Sequence, residues 1–123
     1  MKRPTLKELN NKLKGALTAL HNGKVLLINQ TALAVDALEL EFSIEFELLE
    51  VLSELLDSTS PNDYSGSRPP KRSYEDEISG LDLFAFVVKI DRFPVPVYYK
   101  FSLTKDELWL VSLHKDKKNK EVP

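Results

Sequence analysis

Cysteine is missing from this chain of 123 residues, and histidine occurs only twice, as His21 and His114. Without thiols there are no disulfides, cysteine nucleophiles, iron–sulfur clusters or thiolate zinc sites, and two imidazoles are little material for any other metal site. Neither a metal nor another cofactor is expected. Long apolar runs are also missing: no segment approaches the roughly 18 residues of a membrane span, and Met1-Lys2-Arg3-Pro4 leads into a charged amphipathic stretch rather than an apolar signal core. The expected location is the cytoplasm, with no membrane partner. A strong charge of one sign is absent too, the formal net charge being −2, so global electrostatics give no support to nucleic-acid binding.

What remains is the composition of one globular domain, 42% hydrophobic and 29% charged, expected to span residues 1–123. Its charge is unevenly placed. Arg68-Pro69-Pro70-Lys71-Arg72 and the tail 115–123, with Lys117 and Lys118, are basic, whereas Glu39 to Asp57 is acidic. Thr5-Leu6-Lys7-Glu8 reads as a capping box that opens a helix, with Leu6, Leu9, Leu13, Ala16, Leu17 and Leu20 at helical spacing and Asn22-Gly23 as its stop. His21, at the end of that helix, is expected to favour its dipole and to have no catalytic role. Lys24 to Ile28 reads either as a short strand or as an apolar link into a short helix, Thr31 to Leu38. Ser43 to Asp57 forms a further helix with Ile44, Leu48, Val51, Leu52 and Leu55 in one stripe, and its glutamates read as a solvated face.

Residues 58–80 carry Pro61, Gly66, Pro69, Pro70 and Gly80 among several serines and read as a long irregular loop, of the kind that is usually functional or disordered. Tyr64, Arg68, Lys71 and Arg72 lie on it. Cations interleaved with aromatic rings suit single-stranded RNA, since guanidinium and ammonium groups meet phosphates while rings stack on bases. Leu81 to Ile90 is nearly continuous in apolar residues, as a central strand would be, and Asp91-Arg92-Phe93-Pro94 turns it into a hairpin.

That hairpin carries the chemistry. Val95 to Leu103 and Leu108 to His114 alternate with period two across a four-residue connection, Thr104 to Glu107. Placing Val97, Tyr99, Phe101 and Leu103 with Trp109, Val111 and Leu113 on the buried face leaves Tyr98, Lys100, Ser102, Leu110, Ser112 and His114 on the other. The expected register sets Tyr98 opposite His114 and Lys100 opposite Ser112. Helices over one face of a three-stranded antiparallel meander make an α+β domain. Its free face would then gather a phenol, an ammonium group and an imidazole, with Arg92 in the turn nearby.

This order of elements resembles the RelE-type RNase toxins of bacterial toxin–antitoxin pairs, and among them the MqsR branch, from Thr31 to the tail. The similarity rests on Thr31-Ala32-Leu33 followed by Leu38-Glu39-Leu40, on Asp63-Tyr64, on Val97-Tyr98-Tyr99-Lys100-Phe101, and on Val111-Ser112-Leu113 running into basic residues. The resemblance implies a RelE/MqsR-like fold and a metal-independent mRNA endonuclease that inhibits translation and growth. Its implied partners are mRNA, in part of the superfamily on the ribosome, and a cognate antitoxin protein. It also implies that Tyr98 is the strand tyrosine of the active site. A family lysine falls on His114 here, and neither a lysine beyond the third helical segment nor a glutamine has a counterpart. The resulting expectation has Tyr98, His114, Lys100 and Arg92 in catalysis, and Arg68, Lys71, Arg72, Tyr64, Lys117 and Lys118 on RNA. The competing expectation is a non-catalytic interaction module, antitoxin-like or an adaptor, binding a partner through its sheet face.

Overall fold

The computed structural model describes residues 3–117. Helix α1, Leu6–His21, starts where the Thr5 hydroxyl accepts from the Glu8 amide at 3.0 Å. Only half of the expected capping box forms, because the Glu8 carboxylate is taken by Arg3. Gly23, with a φ of +71°, lets the chain turn back at the other end. Strand β1, Val25–Leu27, leads to α2, Gln30–Glu39, and then to α3, Ile44–Ser58. At the start of α3 the box is complete: Ser43 accepts from the Phe46 amide at 3.2 Å while Glu47 accepts from the Ser43 amide at 2.8 Å.

Three further strands follow: β2 is Phe84–Val88, β3 is Val97–Leu103 and β4 is Leu108–Lys115. The domain is α+β, but its sheet is four-stranded and mixed, in the order β1-β4-β3-β2, rather than the expected three-stranded meander. Of the two readings open for Lys24 to Ile28, the strand is the one that forms. It pairs parallel with β4, and the ladder extends past both its ends through Leu108 N–H to the Lys24 carbonyl and Ile28 N–H to the Leu110 carbonyl, each at 2.9 Å. Three residues are too few for an alternation to be visible in sequence.

The apolar run 81–90 also ends up elsewhere, since β2 lies at the sheet edge. Its continuous apolarity has another cause: the segment 58–80 lies along it. Tyr64 bridges to Phe86, Arg72 bridges to Asp82, and the Ser65 amide donates to the Ala85 carbonyl at 2.8 Å. Two 3₁₀ turns, Pro61–Asp63 and Asp76–Ile78, shape the same segment. Ala85 is thereby buried although it lies on the sheet face away from the helices.

The helices cover the other face. There Phe84, Phe86, Val97, Tyr99, Phe101, Leu108, Leu110 and Leu113 bury against Leu9, Leu13, Leu33, Leu52 and Leu55. Rings stack through this core, Phe86 lying 5.8 Å from Tyr99 and 6.0 Å from Phe101 between centroids. The Tyr99 hydroxyl meets Thr59 at 2.7 Å, and burial raises its pKa. Ser102 is buried and donates to the Asp82 carbonyl.

The side-chain phase of β4 corrects the expected faces. Lys100 pairs with Ser112 but Phe101 pairs with Leu110, so Val111 is the extra residue of a β-bulge. Before the bulge the alternation inverts: Leu108 and Leu110 are buried, while Trp109 is partly exposed and pairs with Ser102. Trp109 therefore leaves the expected buried face, and Leu110 joins it. Among the described residues no helix is long and apolar enough to cross a membrane.

Candidate active site

Downstream of the bulge the expected register is present. Tyr98 pairs with His114 and Lys100 with Ser112, on the sheet face away from the helices. The phenol and imidazole rings stack, with centroids 5.0 Å apart and planes inclined by 16°. Cross-strand neighbours approach closely enough for such a pair to hold both rings. Burial raises the Tyr98 pKa above the ordinary phenol value, so the hydroxyl keeps its proton through the neutral range.

His114 has a defined tautomer. Its Nδ1 lies 2.7 Å from the Lys115 carbonyl oxygen, which can only accept, so Nδ1 carries the proton. In the neutral ring Nε2 is left with a lone pair. A histidine held this way is suited to take a proton.

The segment 64–72 adds a second wall. The Ser65–Ala85 bond and the bond from the Leu83 amide to the Lys71 carbonyl, both 2.8 Å, fix it against β2. A cleft of about 240 Å³ results, lined by Ser65, Gly66, Ser67, Lys71, Tyr98 and Lys100 among others. Two lysines, two serines and the Tyr98 phenol around one hollow make a setting for an anion. Gly66 is required by the packing: a Cβ there would come 2.6 Å from the Tyr64 hydroxyl. Among the described residues Lys71 and Lys100 make no ion pair.

Other candidates sit differently. Arg92, expected beside Tyr98, is instead held on α3: its guanidinium donates to Glu54 at 2.8 and 2.9 Å and contacts Glu50 at 3.0 Å and Glu47 at 3.3 Å. These partners raise its pKa and, in return, hold the Glu54 carboxyl below its ordinary range. Three glutamates on successive turns outcompete the free face for one turn arginine. Tyr64 is no open stacking platform, since its ring meets the Phe86 ring edge-on and its hydroxyl donates to the Ser67 carbonyl. Arg68 lies over the Tyr64 ring, 5.1 Å from its centroid, and donates to the Pro4 carbonyl at 2.9 Å. Both anchor the segment. Arg72 lines a different hollow from Lys71. Lys117 is exposed, in a depression with Glu39, Val95 and Lys115. Lys118 lies outside the described residues. His21 is exposed at the end of α1.

The residues that sequence reasoning missed are Ser65, Gly66 and Ser67. Their only signal is a glycine between two serines, and their placement depends on pairing with residues about twenty positions away. Among the described residues no group of three or more His, Cys, Asp or Glu side chains is gathered to hold a metal ion. No protein-family model matches the chain, and no curated protein matches it.

Proposed function

We propose that the protein is a metal-independent endoribonuclease of the RelE/MqsR type, the toxin of a toxin–antitoxin pair, acting on mRNA. The observation that carries this reading is Tyr98, which lines one cleft with Lys100 and Lys71 and stacks on the His114 ring outside it, with His114 Nδ1 committed to a carbonyl and Nε2 available. RNA carries its own nucleophile, so the protein has to move protons and neutralise charge. In the proposed reaction Nε2 of His114 takes the proton of the 2′-hydroxyl. The 2′-oxygen forms its bond to phosphorus while the bond to the 5′-oxygen breaks. Tyr98, which keeps its proton at neutral pH, supplies it to the departing oxygen. Lys100 and Lys71 stabilise the added negative charge of the phosphorane. The products are a 2′,3′-cyclic phosphate and a 5′-hydroxyl, and water returns the proton from imidazolium to phenolate. Arg92 has no part in this scheme.

The test is cleavage of message in the presence of chelator, with and without ribosomes, and analysis of the new 3′ end. A 2′,3′-cyclic phosphate or its hydrolysis product is expected, with loss of cutting in His114→Ala and Tyr98→Phe. Undiminished cleavage in both variants would overturn the assignment of roles.

One observation favours the second reading, a non-catalytic interaction module. Phe46 and Leu49 on α3 are 81% and 53% exposed, and Val35 and Leu38 on α2 are exposed as well. Large apolar side chains left in water mark interaction surfaces when they cluster. These side chains are on the helices, however, and not on the sheet face where a partner was expected. An inhibitory antitoxin would serve either reading, so growth on induction of the chain alone separates them: arrest supports the toxin, and unimpaired growth together with intact RNA supports the module.

A further inference from the structure

Beyond the Tyr98–His114 pair lies a second cationic hollow that no step of the proposed reaction uses. It is lined by Lys12 of α1 and by Arg72, Gly80, Leu81, Asp82, Phe84 and Leu103, with a volume of about 300 Å³. The one carboxylate in it is engaged, since Asp82 receives the Arg3 guanidinium at 2.8 Å. Lys12 stands over the Phe84 ring, its Nζ 5.4 Å from the centroid. Among the described residues neither Lys12 nor Arg72 forms an ion pair.

The backbone links this hollow to the first one. Residues 71–73 run antiparallel to 81–83, through the bonds from Leu83 to Lys71 and from Ser73 to Leu81 and through the Arg72–Asp82 bridge. Successive side chains of an extended segment leave on opposite sides. Lys71 thus serves the cleft with Lys100 and Tyr98, and Arg72 serves the hollow with Lys12. Cations consequently continue around the edge of the sheet, in the order Lys100, Lys71, Arg72, Lys12. Two residues past Arg72 stands Tyr74, 97% exposed, with its ring open to a flat partner. Glu75, Asp76 and Glu77 follow at once and repel a polyanion, which bounds the path at Tyr74.

We infer that Lys12, Arg72 and Tyr74 form a second subsite for single-stranded RNA, holding nucleotides that flank the cleavage point: the cations take phosphates and the Tyr74 ring stacks on a base. The inference rests on the reading of the Tyr98–His114 face as an RNA site and adds the course of the strand around the β2 edge. Single-strand binders combine a positive track with free rings in this manner.

The experiment measures binding of labelled single-stranded oligoribonucleotides of increasing length to the full chain carrying His114→Ala, which prevents cutting. Each cation withdrawn from a phosphate should lower the salt slope by about 0.7, so Lys12→Gln with Arg72→Gln should lower it by about 1.4 for long RNA. Tyr74→Ala should weaken long RNA by about fivefold or more. Lys12→Arg should restore wild-type binding, and thermal melts should match throughout. Lys14→Gln with Lys89→Gln, which removes the same charge elsewhere, should have a smaller effect. Equal losses in the two charge-matched pairs would reduce the track to overall charge and overturn it. Equal competition by polyglutamate would assign the hollow to acidic protein and overturn it as well. Failure of the nuclease reading is separate: a wild type that binds RNA through Lys12 and Arg72 but does not cut keeps the track and loses the enzyme. A wild type that cuts while the Lys12→Gln/Arg72→Gln double variant and Tyr74→Ala both bind normally loses only the track.

Discussion

Arg92 and the Lys71/Lys100 pair both bring positive charge to a surface of the same sheet domain, and they meet opposite fates. Around Arg92 three carboxylates of α3 gather, so the cation is neutralised and its donors are spent on protein. Around Lys71 and Lys100 the neighbours are hydroxyls, a phenol and a glycine, so the charge remains available. A residue type does not make a site; the partners already present decide whether a charge supports the fold or awaits a ligand. Experiments that remove each cation, or what surrounds it, should separate these two uses.

The largest effect belongs to the available side. His114→Ala removes the group proposed to take the 2′-hydroxyl proton, and Tyr98→Phe removes only the hydroxyl while keeping the ring and its packing. Positioned acid–base groups contribute about 10² to 10⁴ in rate, and each variant should lose RNA cleavage in that range with an unchanged melting temperature. A rate within a few-fold of wild type in both would give the face no catalytic part.

Next comes a contrast between the two sides of the sheet. Phe86 is fully buried and stacks with Tyr99 and Phe101, so Phe86→Ala should cost about 3–5 kcal/mol in denaturant unfolding. Trp109, larger but turned outward by the bulge and held by one hydrogen bond of 3.3 Å to Glu107, should cost less when cut to alanine. A greater loss at Trp109 than at Phe86 would contradict the bulge at Val111.

Much of this was legible in the sequence where contacts are local. The four residues 104–107 force a hairpin, and alternation counted through Leu113 and Tyr99 sets Tyr98 against His114 without any tertiary knowledge. The same alternation fails five residues earlier because a bulge adds one residue without leaving any composition signal, and Trp109 and Leu110 exchange faces. Strand β1 was too short to show a period. The cleft wall was illegible for a different reason: Ser65 and Lys71 reach it only through bonds to Ala85 and Leu83, and Lys12 reaches the second hollow from another helix. Arg92 was misplaced because sequence gives its distance along the chain from Tyr98 and says nothing of the glutamates folded beside it.

On the neutralised side the effect is moderate and falls on stability alone. Arg92→Met keeps the aliphatic stem but leaves Glu47, Glu50 and Glu54 without their common cation. Because those carboxylates are substantially exposed, water screens the loss, and about 1 kcal/mol is expected. RNA cleavage should be unchanged once the protein is folded. A loss of cleavage at full stability would return Arg92 to the site.

The smallest effect is the pH dependence of that same cluster. Hydrogen bonds from Arg92 hold the folded Glu54 carboxyl below its ordinary value of 4.5, against a smaller opposing effect of burial. A carboxyl whose pKa is lower folded than unfolded adds stability above the unfolded value, and that contribution is lost as pH falls through the folded one. Wild type should therefore exceed Glu54→Gln in stability by a constant small margin above about pH 4.5. The margin should shrink steadily below that pH as the carboxyl protonates and comes to resemble the amide. Melting curves taken from pH 7 to pH 3 in low salt read it directly, and added salt should compress it, since the pair is partly exposed. A margin that widened on acidification would mean that Glu54 is destabilising as an anion, and the cluster would then be a strain that Arg92 merely relieves.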